Sequence, residues 1–455
     1  MNREEIEWIT RNLFIGNKLW NGETKGADGH AFDLRAIKSP IVLFASLGDN
    51  ITPPQQAFNW VADVYKSTEE IKARGQVIVG LMHENVGHLG VFVSGQVARK
   101  EYAGIVSVLK SIELLQPGLY GMDIKERKEG GAVAYDVEFR EFTLEEVAAR
   151  LNRFHREDEE PFEAVAEVSD FNQHAYELFL QPAVQATSNG VGAKMMREFH
   201  PLRFQRWSFS DLNPWLGWLA PAAGVVKSNR QPVNAKNVLL DLEKAGSAAI
   251  TASLDLYRAV RDATTEALFF LTYGSVFSMY IADKRTAEQQ ADAQVTDAPE
   301  LPYVKDALAA IERGGYADAL ARIICLLKPD GEPLQLAKLQ LGQELIADYG
   351  DLLPTLPPDE WRRLRGEQEI IVRYAPEKAL ATLPKLVGEG ADRRRLTTLV
   401  QRLLADERVQ RTPPPAQVSA KMQQIAATLE AAAASRKPRA RGRESAGERT
   451  EAAMK

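Results

Sequence analysis

The chain has 455 residues, of which 45% are hydrophobic and 26% charged, with a formal net charge of −6. That length is enough for two or three domains with real cores, and the acidic balance argues against a protein that engages nucleic acid over its whole surface. The single cysteine, Cys325, excludes an intrachain disulfide and suits a reducing compartment. The start, Met1-Asn2-Arg3-Glu4-Glu5-Ile6-Glu7-Trp8, is acidic and lacks the apolar core of a signal peptide. The longest apolar run, Ala267 to Ala282, is interrupted by Thr272, Tyr273, Gly274 and Ser275. It falls short of the ~20 residues a membrane span needs. A cytoplasmic protein without a transmembrane segment is the expectation.

Residues Met1 to Asn21 read as a helix running into a loop, with Trp8, Leu13, Phe14 and Trp20 as burial candidates, and Asn21 to Ser39 as a surface loop. The run Ile41-Val42-Leu43-Phe44-Ala45, closed by Gly48-Asp49, has the continuous apolar character of a parallel strand covered on both faces. Pro53-Pro54 opens a helix, as proline can in a first turn, whose face carries Ala57, Trp60, Val61, Val64 and Tyr65. A second strand spans Val77 to Met82 and leads into a loop with His83 and His88. Ala98, Tyr102, Ile105, Val108, Leu109 and Ile112 then define another amphipathic helix. This β-α-β-α order predicts parallel strands joined by a right-handed crossover.

From Val133 the pattern becomes strict alternation: Val133, Tyr135, Val137 and Phe139 on one side, Asp136, Glu138 and Arg140 on the other. That predicts a half-buried strand at a sheet edge. Thr143 with Glu146 has the spacing of a capping box. The acidic patch Glu157 to Glu160 suggests an exposed linker ending a first module, residues 1–156. Residues 169–283 read as helical and aromatic-rich, with Trp207, Trp215 and Trp218 interleaved with Phe204, Phe209, Arg203 and Arg206. A polar linker to about Glu300 precedes a helical domain, 300–410, broken by Pro354, Pro357 and Pro358. Residues 412–455 read as Pro413-Pro414-Pro415, one Ala/Gln-rich helix and a disordered basic tail.

Chemistry concentrates at the two strand ends. Ligands in open parallel sheets collect at the carboxyl ends of strands, where Asp49 and His88 fall. An acid there orients an imidazole and stabilises its charged form. The imidazole in turn acts as a base toward a hydroxyl or thiol within reach. The plainer alternatives are turn chemistry for Asp49 and a loop-capping histidine for His88. A zinc site is excluded, because His83 and His88 stand five apart around Gly87, not at the i, i+4 spacing of a helical pair. Neither a metal nor another cofactor is expected. A nucleophile elbow of the G-x-S-x-G type precedes the acid in hydrolases, and no such elbow lies upstream of Asp49. Ser46 sits in the strand end and Cys325 in an apolar helical stretch that reads as core. Gly190-Val191-Gly192 follows no strand and makes a weak phosphate loop. The Trp/Phe/Arg cluster is either core or an apolar binding surface. The segment Arg436 to Arg443 is a basic, solvating tail or a contact for RNA or anionic lipid.

Asp49-Asn50-Ile51 and Gly87-His88-Leu89 resemble the acid turn and histidine loop in the C-terminal half of polyhydroxyalkanoate synthases. Phe14-Ile15-Gly16-Asn17, Pro40 to Pro54 and His83 to Gly95 are similar to an uncharacterised bacterial family of synthetase-like proteins, a match extending to about Asp283. The resemblance implies an α/β fold with a partial α/β-hydrolase-like parallel sheet, followed by mainly helical modules. It implies acyl transfer or hydrolysis on hydroxyacyl thioesters or polyesters, with Asp49 as triad acid and His88 as base. This chain departs from the synthases in having no matching upstream cysteine and in carrying Asn50 where they have histidine. Two or three strands alone leave an apolar edge, so the missing strands are expected from an upstream segment or a separate chain. A non-catalytic protein held at polyester granules or membrane surfaces by the aromatic-rich helices is the alternative.

Overall fold

The computed structural model describes residues 2–15, 18–19, 22–26, 29–49, 51–84, 86–90, 103–129, 132–151, 161–210, 212–234, 236–275, 298–328, 331–388, 390–411 and 416–434. The described residues are mostly helical, with one small mixed sheet among them. Contacts divide it into two units, residues 1–16 with 154–292, and residues 17–153 with 293–455. The second unit is therefore assembled from two stretches of chain that the first interrupts. Residues 17–153 of the module expected at 1–156 and the helices expected at 300–410 fall together in it.

The sheet of this unit runs in sequential order β1 to β5. β1 (Ile41–Ser46) and β2 (Val77–His83) are parallel, Ile41 facing Ile78 through to Ser46 facing His83. β3 (Gly118–Glu129) joins β2 in parallel, and β4 (Ala132–Phe142) folds back antiparallel along all of β3. β5 (Leu334–Gln335) adds only two residues beside Glu138 and Phe139. The alternating strand thus lies one very short neighbour inside the edge at which it was expected. Its alternation is as read: Val137 and Phe139 are buried, whereas Asp136 and Arg140 are exposed. β3 was missed because Asp123, Lys125, Glu126, Arg127 and Lys128 mask the buried alternation of Tyr120, Met122 and Ile124.

Both faces of the sheet are covered, which is why β1 and β2 are apolar at consecutive positions. Val77, Val79, Leu81, Met122 and Phe139 pack with Val108 and Ile112 of helix Ala103–Ile112 and with Leu339 of helix Leu336–Asp348. On the other face Ile78 and Leu119 meet Val61, Val64 and Ile71 of helices Pro54–Val64 and Thr68–Ala73, and Leu144. The expected face of the first helix is seen in Val61 and Val64. Leu109 of the later helix, however, is exposed, because it lies off the stripe formed by Val108 and Ile112. The capping box is present: Thr143 Oγ1 accepts from the Glu146 amide at 3.2 Å, and Glu146 accepts from the Thr143 amide at 2.8 Å.

The late helices are joined to the sheet by buried charge. Lys72 Nζ lies 2.6 Å from both Glu141 and Glu369, and Lys328 Nζ lies 2.5 and 2.8 Å from the same carboxylates. Burial would raise the Glu141 pKa, but the two ammonium groups outweigh it and hold the carboxyl below its ordinary range. Arg365 donates to the Leu114 and Leu115 carbonyls at 2.7 and 2.9 Å. Its helix, Pro358–Tyr374, approaches helix Thr68–Ala73 so closely that a Cβ on Gly366 would stand 1.7 Å from the Lys72 carbonyl oxygen. Further core lies among the C-terminal helices themselves, around Leu320, Leu383, Leu396, Leu399 and Ile425.

The other unit is built differently. Helix Pro161–Ala175 meets the 36-residue helix Val238–Tyr273 through Phe162 and Phe269, ring centroids 4.6 Å apart, and Arg11 pairs with Glu177 at 2.7 Å. Of the aromatic cluster, Phe204 and Trp207 lie on helix Pro201–Ser208, and Phe209, Trp215 and Trp218 in turns before helix Leu219–Ser228. Among its described residues only Pro161 and Ala164 are buried. Trp8, Leu13 and Phe14, expected in a core, are exposed for that reason: their unit has almost no interior. The expectations for Trp20, Ala98, Tyr102, Glu157 to Glu160, most of the polar linker, Pro413 to Pro415 and the basic tail lie outside the described residues. Among the described residues no helix is long and apolar enough to cross a membrane.

Candidate functional site

The carboxyl ends of β1 and β2 are adjacent because the two strands are parallel and in register to their last residues. Ser46 closes β1 with its side chain turned inward. Its hydroxyl donates to the Val86 carbonyl at 2.5 Å and accepts from the Gly48 and Val86 amides, each at 3.2 Å. One buried hydroxyl thus ties the turn after β1 to the loop after β2. Ser46 is buried, and its hydroxyl is engaged by all three of these bonds.

Asp49 follows, buried, within the turn this tie supports. Its Oδ1 accepts from the Ile51 and Thr52 amides at 2.9 and 3.0 Å, and its Oδ2 from the Thr52 hydroxyl at 2.6 Å. The fourth partner is His88, whose Nδ1 stands 2.9 Å from Oδ2. Burial alone would raise the Asp49 pKa. The hydroxyl and amide of Thr52, the imidazole and the Ile51 amide outweigh it and hold the carboxyl well below the usual carboxylate range. An ionised carboxylate can only accept, so the shared proton belongs on Nδ1 and the free lone pair on Nε2. Thr52 Oγ1, 3.1 Å from Nδ1, braces the ring from the same side.

His88 is about one-third exposed, and its Nε2 has no hydrogen-bond partner among the described residues. Around this end of the sheet Leu47, Ile51, Met82 and Leu89 are exposed apolar side chains. The arrangement is an oriented base on an apolar surface. It can accept a proton from a group brought up to it and return the proton to a leaving group.

The structure therefore brings the two sequence candidates, Asp49 and His88, into direct contact. It places Cys325 elsewhere: that thiol is buried, 3.6 Å from the Arg365 carbonyl and the Gln116 side chain, and burial pushes its pKa up. A buried, protonated thiol is a poor nucleophile. Among the described residues no group of three His, Cys, Asp or Glu side chains is placed to hold a metal ion. Thr52, and the tie that Ser46 makes to the loop after β2, are the parts of the candidate site that the sequence did not single out. The Asp-x-x-Thr spacing of Asp49 and Thr52 was the available signal, since a carboxylate that caps its own turn favours it. A polar cavity of about 240 Å³ between Lys38, Arg74, Gln76 and Arg363 shares no residue with the dyad.

A family model described as "Protein of unknown function (DUF3141)" matches residues 1–312. An uncharacterised protein in the ackA 5′ region of Rhizobium meliloti is 34% identical over 416 residues. That match takes in 87% of this chain but 55% of the relative, so the chain spans little more than half the relative's length. No solved structure matches the chain.

Proposed function

Because the chain belongs to the DUF3141 family, whose description assigns no activity, we propose its function from the site itself: the acid–base half of an α/β-hydrolase-type acyltransferase or hydrolase. Its substrates on this reading are hydroxyacyl thioesters or polyesters, and its nucleophile lies outside the elements described above. The observation that carries the reading is the 2.9 Å Asp49–His88 contact across the carboxyl ends of two adjacent parallel strands, with Nε2 left free. In the reaction His88 Nε2 takes the proton of a serine or cysteine as its oxygen or sulfur attacks the acyl carbonyl. The tetrahedral intermediate collapses, the thiol or alcohol leaves with that proton, and an acyl-enzyme remains. An incoming hydroxyl, from water or a growing polyester, repeats the sequence in reverse. Asp49 holds the ring in the required tautomer and faces the imidazolium when it forms.

The test uses protein isolated from its source cells with whatever it binds there, carrying either the wild-type or the His88→Ala allele. Release of thiol from a 3-hydroxyacyl thioester should fall about 10²–10⁴-fold in the variant. Equal rates would sink the acyl-transfer reading. A second reading, a non-catalytic protein at granule or membrane surfaces, draws on the exposed aromatics of the helical unit, such as Trp215 at 85% and Phe209 at 79%. It is favoured if granule association survives His88→Ala and no thiol is released by either form.

A further inference from the structure

The outer edge of β1 carries the next inference. β1 pairs with β2 on one side and, among the described residues, with no strand on the other. The Leu47 amide donates to the His83 carbonyl at 2.9 Å, which sets the phase of the ladder. In a parallel pair the residues facing a neighbour alternate. Odd-numbered residues of β1 therefore address β2, and the amides and carbonyls of Val42 and Phe44 point the opposite way. An open apolar edge is a template for another strand, and native proteins usually blunt it with charge or a bulge. Residues 41–46, Ile-Val-Leu-Phe-Ala-Ser, contain no charge, no proline and no glycine.

We propose that this edge is a docking site for a parallel strand of an α/β segment outside residues 1–455, and that the unmatched part of the Rhizobium meliloti relative supplies such a strand. The inference rests on the acyl-transfer reading for its purpose, since a strand added there ends beside Asp49 and His88. Three observations favour this occupant. The sheet is parallel at this edge, so a continuing neighbour would also deliver its carboxyl end, where a nucleophile turn belongs, to the His88 side. The exposed apolar residues Leu47, Ile51 and Leu89 continue the edge onto that same end. And the relative, 34% identical to this chain, carries nearly half its length outside the match, ample for several strands and their helices.

The experiment mixes the full chain with the unmatched portion of that relative, expressed as a separate polypeptide, and follows complex formation by sedimentation. Three variants of the chain are compared: Val42→Pro, Val42→Ile and His88→Ala. Proline at Val42 removes an amide that β2 does not use, so the chain itself should fold, as its circular dichroism will check. A 1:1 complex with wild type, Val42→Ile and His88→Ala, weakened at least 100-fold by Val42→Pro, is the expected result. Amide exchange at Val42 and Phe44 should slow at least 100-fold in the complex. No complex, a complex indifferent to Val42→Pro, or a homodimer of this chain through the same edge would overturn the docking site. A proline-sensitive complex that releases no thiol from a hydroxyacyl thioester would support the docking site and overturn the acyl-transfer reading. Thiol release lost in His88→Ala but kept in Val42→Pro would do the reverse.

Discussion

At the residue scale, the site is governed by one carboxylate with four donors. Asp49→Asn keeps the shape but offers one oxygen in place of two, so the imidazole loses the acceptor that fixes its proton on Nδ1. We expect His88 to shift toward the Nε2–H tautomer, visible in its ring ¹⁵N shifts, with a loss of about 1–3 kcal/mol for the donors left unpaired. The pH dependence follows from the sign of the shift. The folded Asp49 pKa lies below its ordinary value, so its stabilising share is complete above the unfolded carboxylate pKa of about 3.9 and disappears as the pH falls through the folded value. Urea midpoints at pH 6 and pH 3 should therefore draw closer together in Asp49→Asn than in wild type. Ser46→Ala is expected to cost about 1–3 kcal/mol as well, because it strips a bond from the Gly48 and Val86 amides and the Val86 carbonyl. Its signature is a lowered urea midpoint with the His88 tautomer unchanged. The pair Asp49 and His88 was readable in the sequence because each stands just past an apolar run with turn residues beside it. Ser46 was not, since the value of its hydroxyl depends on Val86, 40 residues away, and no local pattern encodes that bond.

At the scale of elements, the strands that could be read were those buried on both faces or alternating cleanly. β1 and β2 announce themselves as Ile-Val-Leu-Phe and Val-Ile-Val. β3 carries a run of charged residues from Asp123 on and needs β4 to be recognised. The short helix Thr68–Ala73 escaped notice because its burial is made by polar residues, Glu69, Glu70 and Lys72, all nearly inaccessible. Two of those residues take partners from far along the chain: Lys72 from Glu369, and Glu69 from the Tyr374 hydroxyl at 2.7 Å. Removing one member of such a cluster strands the rest. Lys72→Met should destabilise the sheet unit by about 3–5 kcal/mol, since Glu141 and Glu369 would then share Lys328 alone. Gly366→Ala tests the helix crossing itself. A methyl group there meets a backbone oxygen that cannot step aside, and a loss of at least about 1–3 kcal/mol is expected in thermal melts.

At the scale of the whole molecule, the buried charges join two stretches of sequence into one body. Trp60 packs in the cluster beneath the sheet and Trp361 in the cluster of late helices. Urea transitions followed separately by the two indoles, each in a variant with the other tryptophans replaced by phenylalanine, should coincide within error. Separate midpoints would show that the charge cluster does not couple the two halves. The sequence suggested instead a boundary after each linker, because composition marks where a chain leaves a module and not where it returns. The interrupted layout also sets a clock for synthesis. Lys72 and Glu369 are 297 residues apart, and ribosomes add about 5–20 residues per second. For roughly 15–60 seconds after helix Thr68–Ala73 is made, a buried lysine and an open apolar strand wait for the residues that will cover the former. During that interval the nascent chain is a client for whatever holds unfinished sheets in solution. Ribosome-bound fragments ending before Glu369 should be the ones most heavily occupied by such holding factors.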